Sequence, residues 1–330
     1  MTTLITGASG FIGSAVLRRL LDVGEDVRIL VRPSSDRRNV ADMPVDMVTG
    51  DLTDAASLRR ALAGCRALFH VAADYRIWVT RPASMYAANV DGTVALMRAA
   101  LDAGVERIVY TSSVATLGIR GDGLASDETT PTNQTDLIGH YKRSKFLAED
   151  AVSRLARDQR LPVIIVNPST PVGPRDYKPT PTGRMIVEAA RGRTPVYLDT
   201  GLNIVHVDDV AHGHWLAYQQ GRVGERYILG GENLSLKQIF SELARLSGHA
   251  PPRIRLPRAL LYPVAYAAEK WVRLRGRGRP VVTVDELRMA KKHMFYSSHK
   301  AMECLGYRPR PAQDALRDAV NWFREQRYFP

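Results

Sequence analysis

Thr6-Gly7-Ala8-Ser9-Gly10-Phe11-Ile12-Gly13 decides how the rest of this chain is read. It follows the apolar pair Leu4-Ile5 and opens a segment of helical periodicity, so its glycines fall at a strand-to-helix turn. Glycines at such a turn let the backbone bend tightly and come close to an anion. The free N–H groups and positive dipole end of the following helix then face that anion. The spacing is G-x-x-G-x-x-G, a variant of the G-x-G-x-x-G fingerprint. Gly7, Ser9, Gly10, Phe11, Ile12 and Gly13 are therefore candidate cradle residues for a pyrophosphate.

Outward from this turn, short β-branched runs alternate with helical patterns. Strands are expected at 2–5, 26–31, 46–48, 67–71, 107–111 and 162–166, with helices at 11–21, 55–62, 82–103 and 141–157. That alternation predicts an α/β fold, a Rossmann-type doubly wound parallel sheet, over residues 1–172. Prolines and glycines crowd 168–183, and the remainder, 173–330, reads as a smaller, mostly helical C-terminal substrate lobe. Within it, 203–229 carries strand patterns that can return to the main sheet.

The end of the second strand reads Leu30-Val31-Arg32-Pro33-Ser34-Ser35, without the carboxylate that usually holds an NAD ribose. Arg32 can clamp a 2′-phosphate, with Ser34 and Arg37 as further donors, so NADP is favoured and NAD stays open. Asp51, beside Leu52, can accept from an adenine amino group or cap the next helix. Tyr141 and Lys145 lie four apart in a helical pattern and share a face. A phenol, with a reference pKa of about 10, is too weak a base at neutral pH; a nearby ammonium, helped by the nicotinamide's positive charge, favours the phenolate, and Lys145 is placed to supply it and to hold the nicotinamide ribose. Ser113 ends the fifth strand, after Thr111, and can orient a substrate oxygen toward Tyr141. Asn167, Tyr75, Trp78, Tyr177 and Arg184 are candidates for the substrate pocket.

Thr6–Gly13 together with Asp51-Leu52, Thr111-Ser112-Ser113 and Tyr141-x-x-x-Lys145 resembles the extended short-chain dehydrogenase/reductase family over essentially the whole chain. The resemblance implies Ser113, Tyr141 and Lys145 as the catalytic trio. It also implies that Val71, Ala72, Ala73 and Pro168, with Ser169 beside it, lie along the nicotinamide half of the cofactor, and that Asn89 is a structural asparagine. Tyr110–Ser113 and the Val31-Arg32 strand end are similar to dihydroflavonol-reductase-like enzymes. The wording of 70–78, 167–184 and 200–212 is closer to bacterial hopanoid-associated sugar epimerases. That implies a cytoplasmic homodimer acting on a sugar, nucleotide-sugar or lipid-linked small molecule. Epimerisation is the reading taken forward, with NADPH-dependent ketone or aldehyde reduction as the alternative and a non-catalytic NADP sensor as a third. The wording favours epimerisation, the strand end favours reduction, and both reactions stay open.

The 330 residues carry a net charge of +12 and two cysteines. The arginines are scattered except for Arg273–Arg279, and no stripe interleaves aromatics with basic residues, so no nucleic-acid partner is expected. Two lone cysteines fit a reducing cytoplasm, and the closeness of Met1 to the first strand leaves no room for a signal peptide. His206, Asp208, Asp209, His212 and His214 cluster in sequence, but His212 and His214 point apart on a helix, so no metal is expected; Asp208 or Asp209 is expected to cap that helix. The apolar helical stretch before the arginine run suits either a core-facing helix with a basic loop or peripheral contact with an anionic membrane; the core-facing reading is favoured.

Overall fold

The glycine turn sits at the carboxyl end of the first strand in the computed structural model, which describes residues 2–329. Six strands from the first half of the chain, β1 (Thr2–Thr6), β2 (Val27–Val31), β3 (Asp46–Thr49), β4 (Cys65–His70), β5 (Arg107–Thr111) and β6 (Val163–Pro168), are joined by Arg226–Leu229 in one parallel sheet. Across the sheet the order is Arg226–Leu229, β6, β5, β4, β1, β2, β3. The winding reverses between β1 and β4, opening a crevice above their carboxyl ends, where this topology holds ligands.

Consecutive strand residues bury on opposite faces, which is why the strands read as unbroken apolar runs. Ile5, Ile29, Phe69, Val109 and Ile164 pack with helix α1 (Phe11–Asp22) and helix Val207–Gln220. Leu4, Leu30, Leu68, Ile108 and Ile165 pack with α2 (Ala55–Leu62) and with helices Gly92–Asp102 and Gly139–Gln159. Both layers of the doubly wound fold are thus closed.

The segment 203–229 divides between two sheets. Strand Gly201–His206 pairs with Thr170–Val172 and His293–Met294 in parallel and with Glu232–Ser235 antiparallel, forming a separate four-stranded sheet. Only Val207–Gln220 and Arg226–Leu229 return to the main body. Helices Pro181–Ala190, Leu236–Ser247 and Ala312–Glu325 cover the small sheet through a core that includes Val172, Ile186, Ile239, Leu316 and Phe323. The helix expected at 82–103 is present and continuous, running as Ala83–Tyr86, a π segment at Ala87–Asp91 and Gly92–Asp102.

Candidate active site

At the turn, Gly7 has φ of 77°, and a Cβ there would lie 2.6 Å from the Ala72 nitrogen. The turn therefore packs directly on Val71-Ala72, and the Val71 amide donates to the Thr6 carbonyl at 3.2 Å. A Cβ on Gly13 would meet the Gly7 oxygen at 2.0 Å, so the first turn of α1 must sit bare against the loop. Gly10 caps α1 with no side-chain hydrogen bond, leaving N–H groups at the helix start for an anion. Asn39 fixes the loop from outside, donating to the Ser9 carbonyl at 3.2 Å and to the Arg175 carbonyl at 3.3 Å. This cradle fits a dinucleotide pyrophosphate.

Arg32, Ser34 and Arg37 are exposed beyond the end of β2. The first carboxylate after β2, Asp36, is held by the Arg38 guanidinium, whose hydrogen bonds pull its pKa down to about 2. Asp51 does not cap α2: Asp54 does, accepting from the Ala56 amide. Asp51 instead accepts from the Thr53 amide and hydroxyl at 2.9 and 2.7 Å. Leu52 lies against Gly92, where a Cβ would come within 2.8 Å of the Leu52 Cβ.

Ser113, extended at φ −165°, caps a short 3-10 turn by accepting from the Ala115 amide at 3.1 Å. Burial raises the Tyr141 pKa above its ordinary 10, and the nearby Ser113 hydroxyl, which favours the ionised phenol, offsets only part of that rise. The Lys145 ammonium is committed elsewhere: it donates to the Thr111 carbonyl at 2.8 Å and to the Tyr110 hydroxyl at 3.1 Å. Burial at 1% exposure brings Lys145 down to about 8, while Glu149, one turn further along the helix, works to hold its charge.

Around this lysine the groups are closed off from water. His70 is fully buried between the Thr6 and Thr93 hydroxyls, at 2.7 and 2.9 Å, and burial together with Lys145 lowers its pKa to about 3. It stays neutral, leaving Lys145 as the cation. The Thr111 hydroxyl bonds His214 at 2.8 Å, while the other His214 nitrogen reaches the Val210 carbonyl. Asn89, on the π turn, accepts from the Asp74 amide at 2.7 Å and donates to the Asp74 carbonyl and the Ser144 hydroxyl. It ties the loop after β4 to the helix carrying Tyr141.

Asn167 lies deeper than a substrate contact requires. Its amide nitrogen donates to the Ser113 carbonyl, the Thr116 hydroxyl and Glu149, and the residue has no exposed surface. Its carbonyl oxygen and the Ser169 hydroxyl are buried without protein partners near the end of β6, beside buried Pro168. Such orphans suit a bound group. Tyr177 is also drawn from the pocket into packing, edge-on to Trp322 at 5.0 Å with Arg38 over its ring. Tyr75 is half-exposed and shares its field with Asp176 and Arg184. Trp78 lies under the Arg273 guanidinium, 5.4 Å from the ring centre. Arg184 is exposed and donates to the Pro179 carbonyl.

Sequence reasoning gave no role to Asn39, His70, Tyr110, Glu149 or Asp176. A signal existed for Glu149, which repeats the four-residue step from Tyr141 to Lys145. Asp176 is buried, and burial raises its pKa to about 6 against the hydrogen bonds from Thr180. The expected cap of helix Val207–Gln220 is also different: His206 accepts from the Asp208 amide, and Asp209 pairs with Arg310. Among the described residues no group of three His, Cys, Asp or Glu could hold a metal. Among them, too, no helix is long and apolar enough to cross a membrane.

The profile of the NAD dependent epimerase/dehydratase family matches residues 3–230, spanning the glycine turn, the Ser113–Tyr141–Lys145 group and the return of the chain to the main sheet. The chain belongs to that family. It is an NAD(P)-dependent enzyme of the extended short-chain dehydrogenase/reductase type. A Synechocystis protein named "Putative dihydroflavonol 4-reductase" is 43% identical, covering 98% of this chain and 95% of its own. The solved structure of gox2253 is 55% identical with a TM-score of 0.90, covering 100% and 99%. A nucleoside-diphosphate-sugar epimerase from Pseudomonas aeruginosa is 27% identical with a TM-score of 0.82, also covering 100% and 99%.

Proposed function

We propose that this enzyme is an NADPH-preferring reductase that delivers hydride to a carbonyl carbon, with Tyr141 as the proton donor. The observation that carries this reading is the half-buried Tyr141 phenol, raised toward its neutral form by desolvation and close enough to Ser113 to feel its hydroxyl. A neutral phenol can give a proton to a carbonyl oxygen, which a phenolate cannot. Ser113 holds that oxygen beside the phenol. Lys145, fixed by Thr111 and Tyr110, lies one helical turn away to balance the negative charge left on Tyr141 and to hold a ribose hydroxyl. When bound, the nicotinamide supplies the hydride. Gly7, Gly10 and Gly13 would seat the pyrophosphate, Arg32 with Ser34 and Arg37 the 2′-phosphate, and Val71–Ala73 with Pro168 the nicotinamide end. Support comes from the end of β2, which carries Arg32 and no carboxylate, from the Asp36–Arg38 pair, which occupies the first acid beyond it, and from the reductase name of the Synechocystis relative.

A second reading, a sugar or nucleotide-sugar epimerase, is favoured by likeness to the Pseudomonas aeruginosa epimerase, and its link to hopanoid biosynthesis rests on the sequence resemblance alone. There Tyr141 would first act as a base, and hydride would return to the opposite face of the same carbon. Mass spectrometry of the nucleotide released from purified, denatured protein separates the two. Reversible NADPH binding to protein that releases no nucleotide supports reduction with exchange at each turnover. Stoichiometric tightly held oxidised cofactor overturns it in favour of epimerisation, and released NAD overturns the role given to Arg32.

A further inference from the structure

Helix Tyr262–Arg275 carries two apolar faces and buries only one of them. Leu261 and Ala265 turn inward, where they pack in a small core with Leu198, Val284 and Leu287, and Val272 is buried too. Leu260, Val264, Ala267, Trp271 and Leu274 follow one another at steps of four and three along the other side, so they form one stripe. That stripe is open: Leu260 is 63% exposed, Val264 52%, Trp271 56% and Leu274 75%, and Val281 beyond the helix is 97% exposed. Ordinary surface leucines occur singly; a stripe of this kind marks an interaction.

The charge around it is concentrated and of one sign. Residues 251–281 hold eight Arg and Lys against one acid, Glu269, in a chain whose net charge is +12. Glu269 is already taken by the Val284 amide and Arg273. Lys270, Arg275 and Arg277 have no carboxylate partner among the described residues, and Arg275 instead lies 4.3 Å over the Trp271 ring.

We infer that this face is a docking surface for an anionic lipid bilayer. The apolar stripe lies on a convex helix, which can sink to the headgroup boundary, while the arginines stay among the lipid phosphates. Trp271 and Tyr266, both exposed, have the amphipathic rings suited to that depth. A second copy of the chain is a poor occupant, because its own arginines would face these at close range. Arg273 covers Trp78 in the loop after β4, so docking places the lipid surface beside the carboxyl edge of the sheet, where the candidate site lies.

The test is flotation of the full chain with vesicles of phosphatidylcholine alone and with about 30% phosphatidylglycerol. It reads no turnover, so its failure is separate from failure of the proposed reaction. The expected result is binding to the anionic vesicles only, weakened by salt. The Val264→Glu/Leu274→Glu variant should lose about tenfold or more in partitioning, and Arg275→Gln/Arg277→Gln should lose binding together with its salt dependence. Circular dichroism and thermal melts of both variants, unchanged from the parent, exclude misfolding. Three results overturn the inference: no vesicle binding at low salt, equal binding by the Val264/Leu274 variant, or a dimer in light scattering that this variant dissolves.

Discussion

Glu149→Gln changes one atom, and the structure says what that atom must cost. One carboxylate oxygen accepts from the Thr116 hydroxyl at 2.9 Å and the Asn167 amide at 2.8 Å; the other accepts from Arg226 at 3.0 Å. Glutamine has one acceptor oxygen and one NH2 group, so whichever way it is turned, one donor faces another donor. With the oxygen toward Thr116 and Asn167 the clash falls on the Arg226 guanidinium, which is half in water and can turn away, so this part of the cost is about 1 kcal/mol or less. The second effect runs through Lys145, whose pKa burial depresses to about 8 and Glu149 supports. With the folded value below the unfolded one, charging Lys145 costs stability, and the cost is complete below about pH 8 and vanishes as pH rises past about 10.5. Without Glu149 the folded value drops further, so the variant's deficit is largest near neutrality and shrinks at alkaline pH. Urea melts at about pH 7 and about pH 10 check this. If charged Lys145 is the working form, NADPH oxidation falls above about pH 8 in the parent and at lower pH in the variant. A variant with the parent's urea midpoint at both pH values and an unmoved alkaline limb refutes the reasoning.

Tyr141→Phe should lower turnover by about 10²–10⁴-fold while NADPH binding, read by fluorescence, stays within about twofold; unchanged turnover removes Tyr141 from the chemistry. Arg32→Asp should weaken NADPH about 10–100-fold, the loss of charge-assisted bonds to a phosphate, and leave NADH nearly untouched; equal losses for both cofactors reject the assignment. Gly183→Ala places a Cβ 2.1 Å from the Asp176 carboxylate, which must then release Thr180, so the variant should lose about 1–3 kcal/mol in a urea melt.

What was legible in the sequence was what repeats in sequence. The strand runs bury on both faces, so β1, β2, β4, β5 and β6 announce themselves, and the glycine turn carries its own reason in the contacts of Gly7 and Gly13. The strand Gly201–His206 misled because an apolar run does not say which sheet it joins; its partners, Glu232–Ser235 and His293–Met294, lie far along the chain. The π turn at Ala87–Asp91 was invisible for a related reason. It lets Asn89 bond Asp74 and Ser144, and neither demand shows in the helical period of 82–103.

The largest gap concerns charge. From spacing, Tyr141 and Lys145 read as a base and its activator, with the nicotinamide's positive charge helping, since four residues on a helix bring two side chains together. The fold adds what spacing omits: how deep each group lies and who else reaches it. Tyr110 and the Thr111 carbonyl take the ammonium, His70 is kept neutral beside it, and Glu149 supplies the one nearby negative charge. On the proposed reading, Tyr141, raised above its ordinary range by burial, rests as the proton donor until a cofactor and substrate change its surroundings. A titration of Tyr141 by ultraviolet difference absorbance, with and without bound NADP, would read that change directly. The phenol should ionise above its ordinary range in the free protein and at lower pH with the oxidised cofactor bound, because only the second state places a positive ring near it. Equal values in the two states would mean that Lys145, not the cofactor, governs Tyr141, and the assignment of a resting proton donor would fall.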